Sequence, residues 1–214
     1  MITIGGMIGV GKSTAAKEIS KHLNSPLLVE HVEGNTLLEK FYTATPEEKE
    51  KYRWPFKLQI HFLTSRYAQI RQAFQDQNSV LDRSIYEDWY FAKVNTDIGD
   101  ISDDEFEIYE NLLHVMMEDL QDMPKKSPDL FVYLRADFDT ILRRIGARDR
   151  SFETDPALIE YYRLLWEGYD DWALNKYNSS DILIFDTQKY DLSHPENVQL
   201  LLDQVDQKLK QVRN

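Results

Sequence analysis

Residues Gly6 to Ser13 read Gly-Met-Ile-Gly-Val-Gly-Lys-Ser, a complete Gly-x-x-x-x-Gly-Lys-Ser phosphate-binding loop. A β-branched run, Ile2 to Ile4, precedes it, and a helix-forming tract from Lys12 to about Asn24 follows. Strand, glycine-rich turn and helix therefore stand in the order that phosphate binding requires. The glycines let the backbone N–H groups of Gly6, Met7, Ile8, Gly9, Val10 and Gly11 turn toward phosphate oxygens. The helix opening at Lys12, Ser13 and Thr14 directs its positive end at the same anion. Lys12 has the reach for β- and γ-phosphates, and the Ser13 hydroxyl suits Mg²⁺.

Further along, apolar runs alternate with helical periodicity. Leu27 to Glu30, Asn78 to Asp82, Asp129 to Leu134 and Ile182 to Asp186 read as buried strands, three of them closing on an acid. The intervening segments predict helices at 34–42, 54–77, 84–95, 102–123, 137–147 and 155–177, and an amphipathic helix ends the chain. Thr45-Pro46 marks a charged loop or a helical turn, and Ser102-x-x-Glu105 has the spacing of a capping box. Five apolar strands separated by helices imply a parallel sheet covered on both faces, in one domain spanning residues 1–214. Ligands of such sheets lie beyond the carboxyl ends of the strands, which places Gly6, Glu30, Asp82, Arg135 and Asp186 along one rim.

Composition removes several alternatives. The chain has no cysteine, so disulfides, thiolate nucleophiles and cysteine–zinc sites are excluded. The expectation is a protein of the reducing cytoplasm, since the first apolar run is too short for a signal peptide and lacks a basic leader. No stretch nears the ~20 apolar residues of a membrane span. A formal charge of −12 disfavours nucleic acid, whereas a local arginine cluster can still hold a nucleotide.

Four constellations carry candidate chemistry. Glu30, at the end of the second strand, could take a proton from an attacking hydroxyl; Glu33 rivals it on spacing alone. Asp82-Arg83 ends the third strand, where an acid suits Mg²⁺ and an arginine could bridge substrate and phosphate, the alternative being a structural ion pair. Arg144, Arg148 and Arg150 form a basic run just after the fourth strand, Arg144 and Arg148 being placed by their spacing on one helix face. Guanidiniums there could stabilise a transferring phosphoryl group. Gln59, Arg66 and Asp88 are polar positions in aromatic-rich helices, and a glutamine amide suits the edge of a base.

These segments resemble the deoxynucleoside kinase family, and within it the bacterial deoxyadenosine/deoxyguanosine kinases. The carrying motifs are Gly6-Met-Ile-Gly-Val-Gly-Lys-Ser-Thr14, Val29-Glu-His-Val32, Trp54-Pro-Phe-Lys-Leu-Gln59, Leu81-Asp-Arg-Ser-Ile-Tyr-Glu-Asp88 and Arg144-Ile-Gly-Ala-Arg-Asp-Arg-Ser-Phe-Glu153. The resemblance implies a P-loop kinase three-layer α/β sandwich with a five-stranded parallel sheet and an arginine-rich lid at about 144–153. It implies ATP- and Mg²⁺-dependent phosphorylation of a deoxynucleoside 5′-hydroxyl, with purine deoxynucleosides favoured and deoxycytidine next. It gives Glu30, Arg83 and Lys12 catalytic roles, and Ser13 and Asp82 the metal. Arg144, Arg148 and Arg150 would close over ATP phosphates, with Asp186 near its adenine. Gln59, Arg66, Asp88 and Phe91 would meet the substrate base, and Tyr42 and Glu153 the 3′-hydroxyl. A homodimer through the helices around 54–77 and 102–123 is expected. A nucleoside monophosphate kinase and a non-catalytic nucleotide-binding regulator are the competing functions.

Overall fold

The computed structural model describes residues 1–29, 35–120, 127–148 and 150–213. Its centre is a five-stranded sheet of β1 (Ile2–Gly6), β2 (Leu27–Leu28), β3 (Val80–Asp82), β4 (Leu130–Arg135) and β5 (Asp181–Asp186). The order is β2-β3-β1-β4-β5 and every pairing is parallel. β1 is buried at every position, as expected for a central strand covered on both faces.

Helix α1 (Lys12–Leu23) packs against β1, β3 and the last helix, α9 (Pro195–Val212), which also lies on β4 and β5. These two helices form one layer. The opposite layer contains α4 (Trp54–Ala73), α5 (Ile85–Asp97) and α6 (Asp103–Asp119), packed on one another, together with α8 (Ile159–Asp171) against α5. Shorter helices α2 (Thr36–Thr43), α3 (Pro46–Tyr52) and α7 (Phe138–Gly146) complete the fold. The chain leaves β1 toward α1 on one face and β3 toward α5 on the other. Such a reversal opens a crevice at the carboxyl ends of adjacent strands.

Local chemistry sets many boundaries. Three capping boxes, Thr45/Glu48, Ser84/Glu87 and Ser102/Glu105, open α3, α5 and α6. The Thr45-Pro46 segment is thus a true helix. α1 starts after Gly11, whose φ of 105° a side chain would disfavour.

Several expected elements differ. The second strand is only Leu27–Leu28, and α4 ends at Ala73 rather than near 77. The expected helix 155–177 is divided into a 3₁₀ turn (Pro156–Leu158), α8 and a wide π turn (Trp172–Lys176). The aromatic side of β4 accounts for that widening. Phe131 meets both Trp172 and Tyr177, at ring separations of 6.1 and 4.8 Å, and the Tyr177 N–H donates to Trp172 O at 2.9 Å. A regular helix would carry one of those rings away from the sheet.

Candidate active site

The carboxyl ends of β1 and β3 meet at a cleft of about 900 Å³, part of it open to solvent. At its floor, Lys12 Nζ donates to Gly6 O (2.9 Å) and Met7 O (3.0 Å), folding the ammonium back into the loop. Burial, followed by the positive charge of Arg83, lowers the Lys12 pKa to about 7, against the opposing pull of Asp82 and Glu87. Beside it, the Ser13 hydroxyl donates to Asp82 Oδ2 at 2.6 Å, joining the start of α1 to the end of β3. Hard oxygen donors from a hydroxyl and a carboxylate suit Mg²⁺ shared with phosphates and water.

Arg83 follows on a strained turn. Its φ is 86°, uncommon for any residue with a Cβ and costing about 1–3 kcal/mol. The turn is held in place: the Arg83 N–H donates to Ile4 O at 2.9 Å, and the guanidinium lies 4.5 Å from the Phe91 ring centre. This conformation directs a cation into the cleft beside Lys12 and Asp82.

A second end of the cleft is apolar, lined by Leu58, Phe62 and Phe91 around Gln59 and Asp88. Gln59 is 2% exposed, and its Oε1 has no hydrogen-bond partner. Such an orphan costs about 1–3 kcal/mol unless a ligand satisfies it. Arg66 lies behind, fully buried, donating to Asp88 Oδ2 (3.2 Å), Gln69 Oε1 (2.8 Å) and Asp82 O (2.9 Å). It buttresses Asp88 and does not line the cleft.

The third side is built from α2 and the segment after α7. The Tyr42 ring stacks on Phe152 at 5.9 Å, and burial, then the neighbouring tyrosines, pushes its hydroxyl pKa well up, so it stays a neutral donor. Glu153, 3% exposed, receives Arg150 NH1 at 3.0 Å and Arg148 NH1 at 3.4 Å. Arg148 and Arg150 keep about a third of their side chains exposed at the cleft mouth.

Not every expected residue lies here. α7 ends at Gly146, so Arg144 and Arg148 do not share a helix face, contrary to their spacing. Arg144 instead binds Val10 O (3.3 Å), Thr187 Oγ1 and O (both 2.8 Å) and Asp191 (3.3 Å), bracing the outside of the glycine loop. Asp186 caps the turn after β5, accepting from the Gln188 and Lys189 N–H groups at 3.0 Å, and faces a separate recess shared with Met7 and Arg135. Of the loop residues, Ile8, Lys12 and Ser13 line the cleft; Gly6, Gly9, Val10, Gly11 and Thr14 shape its wall from outside that lining. Glu30 and its rival Glu33 lie outside the described residues.

Leu38 and Phe41 line the cleft from α2 without having been singled out in the sequence. Nor were two contributors with polar groups. Tyr161 lines the cleft from α8. Glu87, with no solvent exposure, accepts from the Gly6 N–H across the sheet at 2.9 Å. Its signal was the Ser84-x-x-Glu87 spacing of a capping box.

Known proteins resemble this chain along nearly its whole length. A match to the family described as "Deoxynucleoside kinase" spans residues 2–210. A deoxyadenosine kinase of Lactobacillus acidophilus is 40% identical over 218 residues, covering 100% of this chain and 98% of the relative. A deoxyguanosine kinase of the same organism is 40% identical over 216 residues, covering 99% and 92%. Among solved structures, deoxyadenosine kinase from M. mycoides with bound dATP superposes with a TM-score of 0.78 at 30% identity, covering 96% of this chain and 98% of that one. With a phosphate loop, an acid–arginine turn and an apolar recess on one parallel sheet, the chain belongs to the deoxynucleoside kinase family and is a phosphotransferase acting on deoxynucleosides.

Proposed function

We propose that the chain transfers the γ-phosphoryl group of ATP to the 5′-hydroxyl of a purine deoxynucleoside, with deoxycytidine as the weaker alternative. The observation carrying the choice of an amine-bearing base over thymine is the buried Arg66–Asp88 pair beside the unpartnered Gln59 Oε1; the order of purines before cytosine follows the relatives. Adenine, guanine and cytosine each bear an exocyclic amine that a carboxylate or amide oxygen can accept from; thymine bears none. Phe91 and Phe62 supply apolar walls for the ring.

In this reading Glu30 removes the 5′-hydroxyl proton as the oxygen attacks. Arg83 stabilises charge on the attacking and equatorial oxygens, and Lys12 with the loop amides of residues 6–14 grips the triphosphate. Magnesium would be held by Ser13 and, through water, by Asp82, and it supplies neutralisation of the triphosphate. Arg148 and Arg150 belong to a lid at 144–153 that closes over the phosphates, and Arg144 braces the glycine loop from outside. Tyr42 and Glu153 hold the 3′-hydroxyl, and Asp186 borders the donor base.

No helix among the described residues is long and apolar enough to cross a membrane. Ile108 and Val115 lie two turns apart on α6, 56% and 60% exposed, and fit the second copy of the expected homodimer. Light scattering that gives only monomer at micromolar concentration removes that assembly. The function itself is tested by kcat/KM on the four deoxynucleosides with ATP and Mg²⁺. Deoxyadenosine or deoxyguanosine should lead; thymidine leading overturns the assignment. Glu30→Gln should lower kcat by roughly 10²–10⁴ while ATP binding survives.

A further inference from the structure

The three capping boxes offer an internal comparison. Glu48 is exposed and serves only its own helix start. Glu105 is half-buried and adds a surface pair with Arg53. Glu87 is fully buried and reaches well beyond its helix. Its Oε2 accepts from the Ser84 N–H at 2.9 Å, as a cap should. Its Oε1 accepts from the Gly6 N–H at 2.9 Å and from the Tyr169 hydroxyl, and lies 3.7 Å from Arg83 NH1. Gly5 makes that approach feasible, because a Cβ there would lie 2.7 Å from Glu87 Oε2.

One carboxylate thus touches the last residue of β1, from which the phosphate loop springs, and the left-handed turn at Arg83. A cap alone needs only one oxygen facing Ser84. We propose that Glu87 is a positioning residue for phosphoryl transfer, fixing the distance and angle between the phosphate loop and the Arg83 guanidinium. The proposal rests on the functional assignment above, in which Arg83 meets the reacting oxygens and Glu87 does not. The Arg83 backbone is strained, and strain of this kind persists only where surrounding bonds over-determine it. Glu87 supplies a bond on the Ser84 side of the turn, and Tyr169, through its hydroxyl, holds the carboxylate in place. An amide in place of the carboxylate would turn a donor toward Gly6 and Tyr169 or toward Ser84, each itself a donor. The loop and the turn would then separate without any substrate contact being deleted.

The test is steady-state kinetics of the full chain with ATP, Mg²⁺ and deoxyadenosine, normalised to the folded fraction by circular dichroism at low temperature. Glu87→Gln should lower kcat ~10²-fold, as small misplacements of reacting groups do, with the deoxyadenosine KM changed less than ~threefold. In an Arg83→Ala background the same change should cost under ~threefold more, because its effect runs through Arg83. Glu48→Gln, at the surface cap, should leave kcat unchanged. A merely structural Glu87 would lower the melting temperature and leave kcat per folded molecule at the wild-type value. That result, or full multiplication of the two losses, overturns the proposal. Should Glu87→Gln fail to fold, Tyr169→Phe decides: kcat ~10-fold lower at constant KM supports it, and wild-type kcat overturns it. A wild-type chain that phosphorylates no deoxynucleoside would instead strike the function itself.

Discussion

Asp88→Asn separates what the Arg66–Asp88 pair does for the fold from what it does for the substrate. The pair is 3.2 Å apart, with side chains 2% and 3% exposed. Removing one partner of a buried ion pair costs about 3–5 kcal/mol when the other is left uncompensated. Arg66 is partly compensated here, because it also donates to Gln69 Oε1 and Asp82 O, and asparagine retains one acceptor oxygen. About 2–3 kcal/mol is then the expected loss of stability, below that range because Arg66 keeps its other acceptors. For a domain of this size it lowers the melting temperature by about 4–12 °C. The effect on substrate is separate. A hydrogen bond from an exocyclic amine to a charged acceptor contributes about 1.5–3 kcal/mol. Its loss lowers kcat/KM about 10- to 150-fold for deoxyadenosine, deoxyguanosine and deoxycytidine. Thymidine has no amine to lose, and the new amide can donate to its carbonyl, so its kcat/KM should hold or rise. The assay is kcat/KM for all four deoxynucleosides well below the melting temperature of the variant, beside thermal melts of both proteins. An equal loss on all four, thymidine included, would show that Asp88 acts through the fold alone and would refute the base-recognition argument.

Lys12 should take up a proton when ATP binds. Its folded pKa of about 7 lies below the ordinary 10.5, so between those values the folded chain holds fewer protons than the unfolded one. This group alone therefore makes stability rise with pH across that window, and the triphosphate reverses its deprotonation. Calorimetry at pH 8 in buffers of differing ionisation heat should show uptake approaching one proton, and much less at pH 6; buffer-independent heats would contradict it. Gln59→Leu removes the orphaned amide, so it should leave the melting temperature unchanged or higher while raising the deoxynucleoside KM ~10-fold, measured by steady-state kinetics. Glu153→Gln frees Arg148 and Arg150 from their shared carboxylate and should cut kcat/KM ~10-fold or more with a 2′-deoxynucleoside. The loss should be much smaller with a 2′,3′-dideoxynucleoside, which has no 3′-hydroxyl to hold.

What the sequence makes legible is what is local. Gly6 to Ser13 dictates a phosphate loop because backbone conformation, helix dipole and lysine reach are all set within eight residues. The strand ends at Asp82, Arg135 and Asp186 follow from unbroken apolar runs, and the parallel order follows from the helices between them. Side-chain partners chosen across the fold are not local, and there pattern-based expectation loses its grip. Arg144 and Arg148 have helical spacing, yet the chain leaves the helix between them, so one braces the outside of the loop and the other enters the cleft. Asp186 sits at the correct rim, but its Oδ1 already accepts from the Gln188 and Lys189 N–H groups of its own turn. Glu87 shows the same limit from the opposite side. Three glutamates share one capping signature, and only the surroundings of α5, with Gly5 and Tyr169 packed against Glu87, convert one of them into a clamp on the phosphate loop. Spacing tells which residues can meet one another along a single element. Which of them then meet the substrate is decided by the partners that packing has already given them.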